Sequence, residues 1–488
     1  MEGPTGVVFP VSRADGARST TAVGRAVVAG ALRRVDPVGA RAAEQETNWR
    51  SGYLTHFRRL VEAGVDDPSA ARQIARDGLA TLHQQLRVRP TDQPAAAPEP
   101  PLAEAFAGGW PVTEPLTTQV VTGPRAVEPE LSVPYRGERL RGAGLQRQLD
   151  DWVERGIIEP SCAEAVRAVA ANPDWLDLSD LTVAVLGAGA EMGPVHALLR
   201  WGGRIAAVDL PRPEIWSRLL PLAGRYAGEL RIPVRGDGEL TRRAGANLIH
   251  DAPAVAQWLG EQPGRLVLGN YAYADGGTHV RVAAAADAVA VQLREQRPET
   301  ALAFLATPTD VYAVPDEVVA HSAAAYAHRA VWSRPVRWLS AGRLLRRNYP
   351  PGADPGIFDC LVPQQGPNYA LAKRVQRWRA TEARSNGATV SLTVAPMTRT
   401  RSVVKNRALA AAYAGVHAFG VEVFDPATSN TLMAALLVHD LRNPAPPKRH
   451  PWQEEAAAAA HGGVWRVSYA PRSALGLAAV VGLTGARS

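Results

Sequence analysis

The sequence predicts an α/β protein in which a doubly wound parallel sheet follows a helical N-terminal region. Three observations carry this. An apolar run, "LTVAVL" (181–186), feeds a glycine turn, a helix and a second apolar run, "RIAAVDL" (204–210), which together make one βαβ unit. The alternation then continues, and its strand candidates are unbroken apolar runs, as a sheet covered by helices on both faces requires. Upstream, by contrast, the apolar residues recur at helical spacing.

The N-terminal region, residues 1–100, reads as helical. Trp49, Tyr53, Phe57, Leu60 and Val61 share one face, and after an Asp-Pro-Ser start Ile74, Leu79, Leu82 and Leu86 share another, giving a helical hairpin. "RPTDQPAAAPEPP" (89–101) is too rich in proline for helix or sheet and reads as a linker or surface arm. Residues 101–178 add two helices, broken at Gly156 and Pro160. From 179 to 441 the expected order is strand "LTVAVL", strand "RIAAVDL", strand "GANLIHDA", helix "PAVAQWL", strand "RLVLGNYA", helix 280–296 and strand "TALAFLATPTDVYAV". A loop-rich insertion (312–366) precedes helix 368–385, strand "ATVSLTVAPM" and helix 429–441, and residues 442–488 form a C-terminal extension.

Composition narrows the function classes. The 488 residues are 46% apolar and 21% charged, as in a soluble globular chain, and no run of about 18 apolar residues exists to span a bilayer. The start, "MEGPTGVVFPVSRADG", lacks a basic-then-apolar signal, so a cytoplasmic location is expected. Cys162 and Cys360 have no CxxC partner, and the eleven histidines show no HExxH spacing, so no metal site is expected. The net charge of +7 comes from arginines that look intermixed with acids, which argues against nucleic-acid binding and for phosphate-bearing cofactors or substrates. A small-molecule substrate is the expected partner, and the sequence leaves a homo-oligomer open.

In "LGAGAEMGP" the glycines are Gly187, Gly189 and Gly193. A turn of this kind between strand and helix lets the backbone approach a pyrophosphate closely. Asp209 follows about 20 residues later at the end of the next strand, where a carboxylate binds ribose hydroxyls. The combination predicts a Rossmann-type dinucleotide site. Asp209 would repel a 2′-phosphate, favouring NAD over NADP, although Arg212 lies near enough to reverse this.

"NYALAK" (368–373) places Tyr369 and Lys373 on one helical face. The chain has only three lysines, Lys373, Lys405 and Lys448, and writes arginine elsewhere. A lysine here can hold ribose hydroxyls and favour tyrosinate, roles that the broad, permanently charged arginine fork fills poorly.

These landmarks in this order resemble the short-chain dehydrogenase/reductase superfamily over residues 179–441. The resemblance implies that Tyr369 is the general acid/base, Lys373 the ribose ligand and pKa modulator, Asp251 an adenine neighbour and Asn270 part of the turn under the cofactor. It also implies that the segment "VAPMTRTRS", with Thr398, lies beside the nicotinamide. Thr307 is chosen over Thr309 as the substrate-orienting hydroxyl. The chain departs from the family's pattern in its glycine spacing, in having no asparagine on the fourth helix, where Gln292 has the nearest spacing, and in the insertion, which reads as a substrate lid for a bulky, partly apolar substrate. The expected activity is an NAD(P)-dependent oxidoreductase interconverting carbonyl and alcohol. The rivals are a dehydratase, epimerase or lyase that recycles its NAD, and a non-catalytic dinucleotide-binding scaffold.

Overall fold

The computed structural model describes residues 4–12, 16–90, 97–112 and 114–485. A short strand, Gly6–Val8, pairs antiparallel with Arg87–Arg89 and brackets four helices: α1 (Thr20–Leu32), α2 (Pro37–Gln45), α3 (Trp49–Glu62) and α4 (Pro68–Gln85). Ser19, Asp36 and Asp67 cap α1, α2 and α4 by accepting hydrogen bonds from backbone amides of the first turn. Proline begins α2 and α4, where its missing N–H costs nothing. Then come strand β1 (Thr117–Thr122), α5 (Gly142–Glu154) and α6 (Pro160–Ala171). The α/β series follows: β2 (Leu181–Leu186), α7 (Val195–Arg200), β3 (Arg204–Val208), α8 (Pro213–Ala223), β4 (Glu229–Val234), α9 (Leu248–Gly260), β5 (Arg265–Asn270), α10 (Gly276–Gln296) and β6 (Ala301–Ala306). The chain continues with α11 (Asp316–Leu339), α12 (Pro367–Ser385), β7 (Val390–Val394), α13 (Arg401–Lys405), α14 (Arg407–Gly415), α15 (Pro426–Arg442) and α16 (Pro471–Gly485).

The central sheet has seven strands in the order β7-β6-β5-β2-β3-β4-β1, parallel except for β1, which runs antiparallel along the β4 edge. Without β1 this is a Rossmann-type doubly wound sheet. Its strand order reverses between β2 and β5, opening a crevice at their carboxyl ends.

Two strand expectations are corrected. "GANLIHDA" is not a strand: the Asn247 side chain accepts from the Ile249 amide and starts α9, so Leu248 and Ile249 are the buried face of a helix. The third parallel strand is instead "ELRIPV" (229–234), whose Pro233 and half-buried Arg231 hide the apolar signal. "TALAFLATPTDVYAV" likewise breaks after β6, and Val311–Val314 leaves the sheet to pair antiparallel with Gly356–Asp359. The span expected to be loop-rich contains the 24-residue α11. Of the proline-rich stretch 89–101, residues 91–96 lie outside the described residues.

The helices cover both sheet faces. One core joins Leu186, Leu268 and Phe304 of the sheet to Val27, Tyr53 and Leu82 of the N-terminal helices, and the other joins Val183 and Val185 to Trp152, Val166 and Leu436. The N-terminal helices are anchored by polar ties as well. Buried Asp287 of α10 accepts from Arg379 Nε at 2.7 Å and lies 2.7 Å from His83 Nε2 of α4. Gly78 of α4 packs so closely on the Trp378 ring of α12 that a methyl group there would collide with it.

On the opposite face Glu159 accepts from Arg466 Nε at 2.8 Å and pairs with His461 Nε2 at 2.8 Å. Burial alone would raise the Glu159 pKa, but Arg466 and His461 prevail and hold it at about 2, against an ordinary 4.5. Asp287 is depressed too, its burial outweighed by Arg379 and His83. A depressed carboxylate stabilises the fold above its unfolded pKa and loses that contribution as pH falls through its folded value. The urea midpoint is therefore expected to fall steeply from about pH 5 to about pH 2. Glu159→Gln should flatten this slope, and an unchanged slope would remove Glu159 from the account.

Candidate functional site

The glycine turn is shaped by the crossing of two loops. Gly187 has φ +85°, and a Cβ on it would lie 2.7 Å from the Ala272 Cα, so the turn after β2 and the turn after β5 approach too closely for any side chain. Gly189 donates its N–H to Asp209 Oδ2 at 2.7 Å, and Leu210 donates to Oδ1 at 2.7 Å. Burial pushes the Asp209 carboxyl above its ordinary range, and those two amides oppose it. Gly193 closes the turn by donating to the Ala190 carbonyl at 3.0 Å. The helix that follows, α7, has only six residues and begins at Val195, beyond the glycines. The amides of Gly187 and Ala188 donate to the Val208 carbonyl and that of Ala190 to the Gly187 carbonyl, so the turn is held together by its own hydrogen bonds.

Asn270 ends β5, in register with Leu186 of β2 and Phe304 of β6, and its side chain accepts from the Ala272 amide at 3.3 Å. It thus braces the loop that presses on Gly187. Thr398 lies beyond β7, buried, donating to the Pro396 carbonyl at 2.9 Å and 2.7 Å from the Ser429 hydroxyl. Asp251 sits in the first turn of α9 and not after a strand, accepting from the Asn247 amide at 2.7 Å and pairing with Arg235 at 3.1 Å.

Tyr369 lies in the first turn of α12. Its ring meets His279 at 5.6 Å and Tyr273 at 6.3 Å, centroid to centroid, both from the segment after β5. Burial raises the phenol pKa above 10, and the Thr307 hydroxyl beside it pulls the other way. Lys373, one turn on, donates to the Leu305 carbonyl at 3.3 Å and to Gln376 Oε1 at 3.2 Å. Burial lowers its ammonium to about 8, against the opposing field of Asp310. Between the two threonines the surroundings differ. Thr309 accepts from Gln365 Nε2 at 2.7 Å, while Thr307 stands next to Tyr369, 2.9 Å from the Thr309 hydroxyl. Gln292 Oε1 is buried without a hydrogen-bond partner among the described residues, away from the Tyr369 cluster and at a hollow lined by Trp110 and Arg297.

Three neighbours escaped the sequence reading. His279, 1% exposed, is pushed by burial, with Lys373 adding to the effect, to a pKa of about 3 and is neutral near pH 7. Tyr413 of α14 is close enough to Tyr369 for the two phenols to interact electrostatically. Arg401 of α13 pairs with Glu191 of the glycine turn at 3.0 Å, tying the segment after β7 across the crevice. Only "TH" at 278–279, just after the fourth predicted strand, marked the first of these. Chemically, a neutral phenol, a lysine with a lowered pKa and a threonine hydroxyl form one cluster that can donate a proton and orient an oxygen.

No protein-family model matches the chain, and no curated protein does. Among solved structures, a thiolation-reductase di-domain from an archaeal non-ribosomal peptide synthetase is similar over 53% of this chain and 50% of that one, at 13% identity and a TM-score of 0.27. The chain thus spans about half the length of that structure. A TM-score so low carries no argument. The resemblance to short-chain dehydrogenases therefore has no family model behind it, and what stands is the Rossmann-type sheet. Among the described residues no helix is long and apolar enough to cross a membrane, and no His, Cys, Asp and Glu cluster is placed to hold a metal ion.

Proposed function

We propose that the chain is an NAD(P)-dependent oxidoreductase that interconverts a carbonyl and an alcohol on a bulky, partly apolar substrate, with catalysis in residues 179–441. The observation that carries this is the convergence of four strand ends on one crevice. β2 brings Gly187 and Gly189, β3 brings Asp209, β5 brings Asn270, and β6 brings Thr307 to the Tyr369 and Lys373 helix. What supports a dinucleotide here is the glycine turn at the end of β2 with the Asp209 carboxylate at the end of the next strand, 2.7 Å from the Gly189 amide.

Gly187, Gly189, Asp209 and Asn270 would hold the cofactor, with Thr398 and Lys373 at its nicotinamide end and Asp251 on the adenine side. When bound, the cofactor supplies or accepts the hydride. Tyr369 holds the proton at its phenol oxygen and gives it to the substrate oxygen, Thr307 orients that oxygen, and Lys373 supplies positive charge that eases loss of the phenol proton. A phenol raised by burial is fully protonated near pH 7, which favours reduction over alcohol oxidation. Tyr413 and the α13–α14 segment form the wall facing Tyr369, with the insertion 312–366 beside it.

Fluorescence titration with NADH and NADPH tests the cofactor half of this reading. Wild type is expected to bind, NADH more tightly than NADPH because of Asp209. Gly187→Val, strained at positive φ and clashing with Ala272, is expected to weaken binding by at least about tenfold, one unit of about 1.4 kcal/mol. Equal titration curves would reject the assigned crevice. A dinucleotide-binding protein without net redox turnover is the second reading, favoured by the raised phenol, which makes Tyr369 a weaker proton donor than a free tyrosine. Cofactor that co-purifies but is not consumed with any carbonyl would select it.

A further inference from the structure

The positive charge is not evenly mixed along the chain. Segments 318–353, 401–421 and 456–485 together contain eleven Lys and Arg and no Asp or Glu, so with a total of +7 the remainder of the chain is net acidic. The fold brings these three segments together. Tyr326 and Leu345 from the first pack with Tyr469 and Ala474 from the third, and Phe419 from the second joins them. Arg329 donates to the Ala418 carbonyl at 2.8 Å, the Arg346 amide to the Ser473 hydroxyl at 3.0 Å, and α14 packs along α16. The result is one acid-free cap that carries Tyr413 over Tyr369.

Only three of the eleven cations are neutralised by ion pairs among the described residues: Arg401 by Glu191, Arg466 by Glu159 and Arg472 by Asp359. Arg337 and Arg347 stack on the Tyr326 ring, and Arg334, Arg343, Arg346, Lys405 and Arg407 stand exposed. The same cap exposes large apolar side chains. Trp338 and Leu339, adjacent at the end of α11, are 82% and 76% exposed, and Val404, Val480 and Leu483 are exposed on α13 and α16.

We propose that this cap is a peripheral docking surface for an anionic lipid bilayer. Tryptophan and leucine at a helix end, ringed by arginine, match the interface of a bilayer, where the indole sits at headgroup level and the cations meet lipid phosphates. A folded acidic partner is the less favoured occupant. Trp338 and Leu339 end α11 and stand almost wholly exposed, as side chains that insert into a bilayer interface do. Docking through the cap brings Tyr413, which faces Tyr369, towards the lipid surface, from which an apolar substrate would enter the site proposed above.

The full-length protein is sedimented with vesicles of phosphatidylcholine containing roughly 30% phosphatidylglycerol, and with vesicles of phosphatidylcholine alone. Binding is expected to the first and not the second, and to be lost between about 0.1 M and about 1 M salt as the Debye length shrinks. Arg343→Glu with Arg346→Glu is expected to weaken it by roughly twentyfold or more. Trp338→Ala with Leu339→Ser should weaken it at about 0.1 M salt, where wild type binds, although the variant keeps every cation of the cap. All four positions are exposed or end a helix, and thermal melting checks that the variants fold. The proposal is overturned if wild type ignores the anionic vesicles, if it binds both vesicles alike, or if it binds an acidic polypeptide such as polyglutamate but no vesicle. NADH titration of the same samples separates this outcome from failure of the cofactor reading.

Discussion

Tyr369→Phe is expected to reduce the rate of carbonyl reduction by roughly 10² to 10⁴ while leaving NADH affinity and melting temperature close to those of wild type. Phenylalanine keeps the ring that meets His279 and Tyr273 and removes only the proton-carrying oxygen. Lys373→Met sharpens the case because it separates function from stability. The ammonium is lowered to about 8 by burial, and its hydrogen bonds go to a carbonyl and an amide, with no carboxylate paired to it among the described residues. A cation whose folded pKa lies below its unfolded value costs stability in full below about 8 and progressively less as pH rises toward about 10.4. The methionine variant should therefore melt no lower than wild type at pH 7 and yet lose most of its turnover. Retained turnover in either variant, measured by NADH consumption over a carbonyl panel, rejects the assigned pair. A collapse of Lys373→Met would instead make the lysine structural.

Arg377→Met is expected to destabilise the protein by about 3–5 kcal/mol in urea unfolding at pH 7. Arg377 lies fully buried, donating to Asp310 Oδ2 at 2.7 Å, to the Val311 carbonyl at 2.9 Å and to Glu455 at 2.6 and 2.5 Å, with its guanidinium 4.2 Å from the Tyr312 ring centroid. Its removal leaves two carboxylates in a dry site, with Arg374 reaching only Asp310, at 3.0 Å. Burying an uncompensated charge costs more than an ion pair contributes, which sets the sign. Pairing Arg377→Met with Glu455→Gln should recover part of the loss, since one stranded charge is then neutral. A loss below about 1 kcal/mol, the range of exposed pairs, would mean that water already reaches the cluster. Asp310 also bears electrostatically on Tyr369 and Lys373, so this cluster sets the field behind the candidate site.

Much of the site's frame was legible because it rests on local patterns. Unbroken apolar runs mark β2, β3 and β5, glycine marks the turn at 187, and the spacing of Tyr369 and Lys373 is a property of any helix. The third strand was not legible: "ELRIPV" is half charged at its start and carries a proline, while "NLI" a few residues later looks more strand-like than the helix start it is. Asp251 was misplaced with it, and its carboxylate caps α9 and meets Arg235. Tyr413 carried no signal in its own segment, and His279 and Arg401 only their places after predicted strands, since their relevance depends on which loops the sheet order brings face to face.

By itself the sequence determined that a glycine turn follows an apolar strand, that an acid ends the next, and that Tyr369 and Lys373 share a helical face. It also determined that three segments contain no acid. Only the tertiary structure decided that Thr307, and not Thr309, stands beside Tyr369, that the N-terminal helices are tied to α10 and α12 through Asp287, and that the acid-free segments form one surface. Helical and strand periods act over a few residues, whereas sheet order and helix packing are settled by burying two apolar faces across the whole chain.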